Sequence, residues 1–300
     1  MLRAGNRPSD FGRDGSGLTG LKYEERPPAS ARLKPFVKCI WTLRRTYAGP
    51  EEAEVLWPDE CKEIIVHHGC VYRCAGRELP ASFVMGTLSG FRRLETQGTL
   101  VLYGIRLHPW GLHMITDKPV RKFNDRFVPL AELSEALDAG RVAALERSVM
   151  TGSLDDAQPR LESFLEALID PVREEPVLFA VLARLAGNPA EYGVADAVRD
   201  SGLSQRQFER LCMKVTGLSP KRLHKIARFN RVRLALLLRP DRDLNDLMAE
   251  AGYYDYSHFS KDFRSCMGMT PAQFKTWARR LAADHGPDVG FLQDKDDRLR

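Results

Sequence analysis

The sequence lacks long apolar runs, and this excludes most membrane proteins and most secreted ones. No stretch approaches the about 18 consecutive apolar residues that a transmembrane helix needs. The start of the chain also lacks the apolar segment of a signal peptide, so we expect a cytoplasmic protein without a membrane partner. Gly, Ser, Arg and Asp are frequent there, a composition typical of disorder, and we expect tails at 1–22 and 284–300.

Cysteine is sparse, and the glycine patterns of common enzymes are absent. The six cysteines are expected to be free thiols, because a chain of this size without a secretion signal rarely forms disulfides. We find no phosphate-binding loop, no dinucleotide-binding glycine pattern and no nucleophile elbow. The sequence therefore predicts no enzymatic activity, no cofactor and no bound metal.

Positive charge is concentrated in one region. The whole chain carries a formal net charge of +5, whereas 187–283 alone holds 17 Lys and Arg against 10 Asp and Glu. The rest of the chain is therefore slightly acidic. A local excess of cations is typical of a nucleic-acid-binding domain, although a solvated basic face gives the same count.

One pattern occurs twice in this basic region, at 202–223 and at 252–274. Each copy opens on a glycine and continues through an aromatic residue and a cation to a second glycine and a Ser/Thr-Pro pair. Two helical copies that each contain a glycine turn predict two helix-turn-helix units in one domain, which indicates DNA binding. The matched residues are Gly202 and Gly252, Phe208 and Phe259, Arg210 and Lys261, Gly217 and Gly268, and Ser219-Pro220 and Thr270-Pro271.

Helix-start signals fall in register with the repeat. Polar N-cap residues, two of them with glutamine three residues later, mark four helix starts. A helix over 220–238 is predicted to join the two units, with a basic face and an apolar one. The N-cap residues are Ser204 (with Gln207), Ser219, Asp255 and Thr270 (with Gln273).

The first part of the chain has a different pattern. Short segments rich in β-branched and aromatic residues predict strands at 35–44, 62–68 and 99–107, with a hairpin turn at Gly69. Helical spacing follows at 130–137, 142–149, 158–169 and 177–186. The sequence therefore predicts an α+β protein. A β-rich, barrel-like domain at 23–186 ends in helices, and an all-α domain with two helix-turn-helix units follows at 187–283.

The C-terminal region resembles the AraC/XylS-type transcriptional regulators over 191–280. The resemblance rests on the order of residues in both units, above all on AEAGYYDYSHFSKDFRSCMGMTP in the second. Cys212 departs from the usual Phe of the family, and Phe274-Lys275 replaces the usual Tyr-Arg. The resemblance implies a sequence-specific transcription regulator that binds double-stranded DNA, with a possible homodimer and, in an activator, RNA polymerase as further partners.

The N-terminal half resembles an uncharacterised sensor-like domain found ahead of such units. The similarity rests on Trp57-Pro58-Asp59, EIIVHHG, VMG (84–86) and YGIRLHPWGL (103–112). It implies control by an unknown small-molecule effector. Aromatic and histidine side chains are candidates to line its pocket, although they equally fit a cap on the barrel; they are Trp57, His108, Trp110 and His113.

Candidate DNA-binding residues follow from helical spacing and from the matched family positions. Side chains opposite the buried face of each second helix would read bases: Arg206, Glu209 and Arg210 in the first unit, and Tyr256, Ser257, Ser260 and Lys261 in the second. Helix N-termini and nearby cations would hold phosphates: Ser204, Lys214, Lys221, Arg222 and Thr270. The alternatives are a phosphate contact for each Arg and an intrahelical pair for Glu209.

Two other functions stay open at this point. His67, Cys70 and Cys74 have the residue types of a thiol or metal switch, but their spacing is loose and strand alternation sends His67 and His68 to opposite faces. A β-hairpin that turns at Gly69 and carries ordinary buried cysteines is the simpler interpretation. The N-terminal half is alternatively a small-molecule-binding or enzymatic domain fused to a DNA-binding module.

Overall fold

The computed structural model describes residues 22–47, 53–150 and 153–285. The tails expected at 1–22 and 284–300 lie outside these residues, except that Lys22 begins a strand and 284–285 end a helix. Among the described helices, none has the length and apolar character needed to cross a membrane.

The N-terminal half forms two antiparallel sheets. One sheet has the strand order β1-β2-β9-β4-β7-β10 and the other has β3-β8-β5-β6, so the predicted β-rich domain is confirmed as two open sheets. The predicted strands are also confirmed, as β2, β4 and β9. The strands are β1 (Lys22–Arg26), β2 (Val37–Tyr47), β3 (Ala53–Leu56), β4 (Lys62–Gly69), β5 (Arg73–Cys74), β6 (Arg77–Glu78), β7 (Ser82–Met85), β8 (Arg92–Glu95), β9 (Gly98–Leu107) and β10 (Phe127–Pro129).

Side chains fill the space between the two sheets. Trp41 and Tyr47 of β2 join Phe83 of β7 and Leu94 of β8 in one buried cluster. The Trp41 ring lies so close to Gly104 that a Cβ there would fall 2.0 Å from it. The interior of the sandwich is therefore packed with aromatic rings, and the opposite face of the six-stranded sheet contacts the helices.

The turn predicted at Gly69 lies elsewhere. Gly69 ends β4 with a φ of +88°, and a Cβ there would fall 2.3 Å from the Thr99 carbonyl oxygen. The chain then passes into the second sheet, where Ala75 and Gly76 make the tight turn between β5 and β6 with positive φ. The reason is topological: β4 pairs with β7 and β9, so it has no hairpin partner directly after it.

Two of the three middle helices begin at polar caps, Asp138 and Ser153, and the third begins at Pro176. The helix predicted over 130–137 is instead a 3-10 turn at Leu130–Glu132 followed by irregular chain, because the next helix starts only where Asp138 accepts from the Arg141 amide. The helices here are α1 (Ala139–Ser148), α2 (Leu154–Glu166) and α3 (Pro176–Gly187).

The C-terminal helices follow the repeat. Each second helix of a unit ends at a left-handed glycine, Gly217 with a φ of +72° and Gly268 with +75°. The four predicted N-caps are all present as hydrogen bonds. The helices are α4 (Val194–Asp200), α5 (Gln205–Thr216), α6 (Pro220–Leu238), α7 (Leu244–Glu250), α8 (Tyr256–Met267) and α9 (Pro271–His285).

The apolar cores cross the predicted domain boundary. One cluster runs from Leu33 in the N-terminal half to Ile226 in α6 and includes the buried face of α5. A second cluster joins Trp57 to α8 and α9. The limits 23–186 and 187–283 therefore stay a prediction from the sequence, because packing does not divide the molecule at Gly187.

Candidate nucleic-acid interface

Helix α5 has one fully buried face and one exposed face. Phe208 and Cys212 are completely buried, and Cys212 donates from its thiol to the Leu218 carbonyl at 3.4 Å. Arg206 and Arg210 are exposed on the opposite face and make no ion pair with any described residue. Both guanidiniums are therefore available to an external acceptor.

Glu209 is also exposed on this face. Its carboxylate accepts a hydrogen bond from the Gln205 side chain at 3.1 Å, one helical turn earlier. Its partner is thus an amide rather than the neighbouring Arg that the sequence left as an alternative. The carboxylate keeps a lone pair for a donor such as the cytosine amino group.

Helix α8 presents a different set of side chains. Phe259 and Phe263 are completely buried, whereas Ser257 and Lys261 are exposed and Ser260 is half-buried. The Tyr256 ring meets Phe259 edge-on at 5.7 Å and keeps 42% of its surface exposed. The four candidate residues border one shallow depression on the helix surface.

Sequence reasoning missed two exposed residues, one that lines this depression and one in the turn before α8. Arg264 lines it together with Lys261, and helical spacing indicates this, since Arg264 follows Ser260 by four residues. Tyr254, in the turn before α8, is 98% exposed. No local pattern marks Tyr254, because an aromatic residue in a turn is more often expected to pack against the core.

The basic face predicted for the joining helix α6 is divided. Lys221 and Arg222 lie exposed at its N-terminus. Lys225 and Arg228 instead bind the buried carboxylate of Asp262 in α8, at 2.8 and 3.3 Å. These two cations therefore hold α8 against α6.

The candidate phosphate-binding hydroxyls are used as caps. Ser204 Oγ accepts from the Gln207 amide and donates to its side chain, and Thr270 makes the same two bonds with Gln273. The free backbone amides of the helix N-termini, rather than these hydroxyls, are left as donors for an external anion. Lys214 is exposed at the far end of α5.

The four candidate pocket residues do not come together. His108 stacks on Trp110 at 5.1 Å, and Trp110 stacks on Phe179 of α3 at 5.5 Å. His108 and Trp110 border a cavity of about 400 Å³ between the six-stranded sheet, α3 and α6. The other polar residues that line it are Lys38, Glu60, Asn188, Asn230 and Arg231.

Trp57 lies apart from this cavity, against the second helix-turn-helix unit. Its ring meets Phe274 at 6.3 Å and Trp277 at 5.7 Å, both edge-on. The guanidinium of Arg233, which is completely buried in α6, lies 5.2 Å from the Trp57 ring. Trp57 is therefore a contact between the two halves of the chain, and the sequence grouped it with the others by residue type alone.

A chain of polar groups runs beside Trp57 across the same contact. Arg233 donates twice to the Asn230 side-chain oxygen, at 2.8 and 2.6 Å. Asn230 in turn donates to the Glu60 carboxylate of the N-terminal half at 3.1 Å. The buried cation of α6 is thus linked to an acidic residue near the sheet.

His113 is buried beside α5. Burial, together with the smaller effect of the positive charges of Lys214 and Arg173, lowers its pKa to about 4. Its Nε2 has no hydrogen-bond partner among the described residues. The folded protein therefore holds this imidazole neutral.

Acid should destabilise the fold through His113. The unfolded chain binds the proton with a pKa near 6.5, so the contribution of neutral His113 is intact above pH 6.5 and is lost as the pH falls towards 4. The loss should reach about 3 kcal/mol. Urea unfolding of wild type and His113→Leu at pH 7.5 and pH 5 measures it. Between pH 7.5 and pH 5 the free energy of unfolding should fall more for wild type than for the leucine variant. An equal fall in both proteins would contradict the lowered pKa of His113.

The candidate thiol cluster is not assembled as a site. His67 is buried and its Nε2 is 2.7 Å from the Pro80 carbonyl oxygen. Cys70 and Cys74 are half-buried free thiols, and burial raises the pKa of Cys74. Within the part of the chain that the structure describes, no group of three His, Cys, Asp or Glu residues is arranged to hold a metal ion.

Two family models match the chain. Residues 198–276 match a helix-turn-helix domain, and residues 25–129 match a domain of unknown function (DUF6597). The first match contains both copies of the repeat and ends within α9. No curated protein matches the chain significantly.

Several solved structures are similar. An AraC-type transcriptional regulator from Chromobacterium violaceum is 26% identical over 34% of this chain and 92% of its own, with a TM-score of 0.31. The DNA-binding domain of AdpA, in complex with a target DNA, is 21% identical over 35% of this chain and 96% of its own, with a TM-score of 0.33. ToxT from Vibrio cholerae is 10% identical over 85% of this chain and 98% of its own, with a TM-score of 0.43.

Proposed function

Because the chain belongs to the AraC/XylS-type transcription regulators, as its helix-turn-helix family match and doubled motif indicate, we propose how it reads DNA and how it is controlled. The exposed faces of α5 and α8 bind bases in two successive segments of the major groove. A small molecule bound between the two halves of the chain changes this binding. A homodimer and RNA polymerase, which the family resemblance implies, are further partners in the proposal.

The proposed reading of DNA is supported by the exposed faces of α5 and α8. Helix α6 joins the units and has 19 residues, which makes it about 28 Å long. Recognition helices on such a spacer fit major-groove segments about one helical turn, or 34 Å, apart. Since α5 offers two guanidiniums and a carboxylate whereas α8 offers a phenol, hydroxyls and an ammonium, the site of one chain is asymmetric.

The proposed phosphate contacts lie at the edges of these faces. Lys221 and Arg222 are exposed at the N-terminus of α6, where backbone amides and the helix dipole favour an anion. Lys275, in contrast, donates to the Arg242 carbonyl. The Lys275 ammonium, at the position where the family usually has Arg, therefore bonds within the protein and is not part of the proposed phosphate surface.

The proposed effector site is the cavity that His108 and Trp110 border. It lies between both halves, so a molecule bound there contacts the sheet, α3 and α6 together. Its volume of about 400 Å³ fits a small organic molecule. The stacked rings offer an apolar surface, whereas Lys38 and Arg231 offer positive charge. The interior of the sandwich, by comparison, is filled with side chains.

Ligand-dependent melting tests this site. Compounds that stabilise the full-length protein and alter its affinity for DNA should lose both effects in Ala186→Phe, because the added ring enters the cavity that Ala186 lines. Ala195→Phe, an exposed position on α4 outside the cavity, is the matched control and should keep both effects. A regulatory compound that acts equally on Ala186→Phe would place the effector site elsewhere.

The thiol or metal switch has less support. The raised pKa of Cys74 disfavours the reactive thiolate. The His67 ring already contacts a backbone carbonyl oxygen. The candidate DNA-reading side chains of α5, in contrast, are exposed.

A further inference from the structure

The N-terminal half touches the first helix-turn-helix unit at the turn that follows α5. A Cβ on Gly217 would fall 2.9 Å from the Arg121 amide nitrogen, so the two backbones are in close contact. The Asn124 side chain donates to the Gly217 carbonyl oxygen at 2.8 Å. These contacts fix the 3-10 helix Val120–Phe123 beside the turn that leads into α6.

This contact brings two exposed cations of the N-terminal half next to the proposed phosphate surface. Arg121 and Lys122 are both exposed, and neither makes an ion pair with a described residue. Only Leu218 and Ser219 separate Gly217 from the start of α6, where Lys221 and Arg222 are exposed. The backbone contact at Gly217 therefore places both pairs of cations within a few residues of the same turn.

The nearest acidic residue along the chain does not neutralise these cations. Asp125 accepts from the Ser89 amide at 2.6 Å and from Arg92 at 3.1 Å. Its charge is thus already matched by Arg92. Arg121 and Lys122 keep their full positive charge for an external anion.

The N-terminal half also contacts the second unit at the equivalent glycine, Gly268, but it does so through an aromatic side chain. The Phe91 ring covers Gly268, where a Cβ would fall 2.6 Å from the ring. Arg92, the cation that follows Phe91, is bonded to Asp125 and to backbone carbonyls. The N-terminal half therefore presents an apolar contact to the second unit and free cations beside the first.

We infer that Arg121 and Lys122 bind DNA phosphates next to those held by the N-terminus of α6. The N-terminal half is then part of the DNA interface, and the phosphate contacts extend further beside the first unit than beside the second. This inference rests on the proposed DNA-binding role of the first unit. Its chemistry is the attraction of unpaired, exposed cations for a phosphate backbone, which carries no base preference.

The salt dependence of binding by the full-length protein tests the inference. Each lost phosphate contact lowers the slope of log affinity against log salt by about 0.9. Arg121→Ala/Lys122→Ala should therefore lose nearly two units of slope. Between about 50 and 200 mM salt, wild-type affinity should fall roughly tenfold more than that of the variant. The preferred base sequence should stay the same, and Arg121→Glu/Lys122→Glu should weaken binding further.

A control removes the same two residue types from the same half of the protein. Arg32 and Lys34 are exposed and unpaired among the described residues, in the segment whose neighbour Ser30 donates from its amide to Glu162 of α2. Arg32→Ala/Lys34→Ala should keep the wild-type slope. Equal slopes for wild type and Arg121→Ala/Lys122→Ala would overturn the inference. Absence of sequence-specific binding by wild type itself would instead overturn the proposed function.

Discussion

Replacing Arg206 or Arg210 with alanine should weaken binding to the preferred DNA site by about 1–3 kcal/mol each. Both side chains are exposed on α5 and make no ion pair with a described residue, so their loss leaves the fold intact. An arginine that binds guanine O6 and N7 together distinguishes guanine from the other bases, so its replacement should remove that discrimination. Competition among single-base variants of the site should therefore show relaxed preference at one or two base pairs for each variant.

Lys221→Ala is the matched control for these two variants. Lys221 lies exposed at the N-terminus of α6, where a phosphate contact is expected. Its loss should weaken binding to every sequence alike and lower the salt slope by about 0.9. If Arg206→Ala and Lys221→Ala act identically on all sequences, the division into base and phosphate contacts is wrong.

Trp57→Ala should lower the free energy of unfolding by about 3–5 kcal/mol. Trp57 is 3% exposed and packs against two aromatic rings of α9. Its removal also leaves a cavity beside the buried Arg233, because the Trp57 ring lies next to that guanidinium in the wild-type protein. Urea unfolding of the full-length protein measures the change. Trp57→Phe, which keeps part of the aromatic packing, should lose less.

The same variant should alter how the protein reads DNA. Trp57 ties the second unit to the N-terminal half, whereas the first unit is held by separate contacts at Gly217. The Trp57→Ala variant should therefore bind a DNA site with one extra base pair between its two blocks better than wild type does. An unfolding free energy equal to that of wild type, with an unchanged spacing preference, would show that Trp57 does not couple the two halves.

The helical repeat could be predicted because its signals are local. A cap such as Ser204 with Gln207, or a left-handed glycine such as Gly217, involves residues within one turn of helix. These signals need no knowledge of the tertiary fold. They fixed the helix starts and therefore which side chains of α5 and α8 are exposed.

The contacts between the two halves could not be predicted in this way. Trp57 was grouped with His108 because both are ring-bearing residues of one region, but its neighbours lie more than two hundred residues later in the chain. Helical spacing alone places Lys225 and Arg228 on a solvated basic face, whereas in the fold both bind Asp262. Such pairings depend on tertiary packing, which helical spacing does not encode.

The predicted helix over 130–137 shows the limit of apolar spacing. Leu130, Leu133 and Leu137 are all buried, as the pattern requires, but a 3-10 turn and irregular chain bury them equally well. The pattern reports which residues face the core. The backbone hydrogen bonds between them are decided by the cap at Asp138.

Selection of bound sequences from a random DNA pool by the full-length protein tests the central claim most directly. Two unlike recognition helices on one rigid spacer predict an asymmetric motif. Its two blocks should have centres about 10 base pairs apart. A single block, or no enrichment at any salt concentration with or without a stabilising ligand, would contradict the claim that α5 and α8 both read DNA.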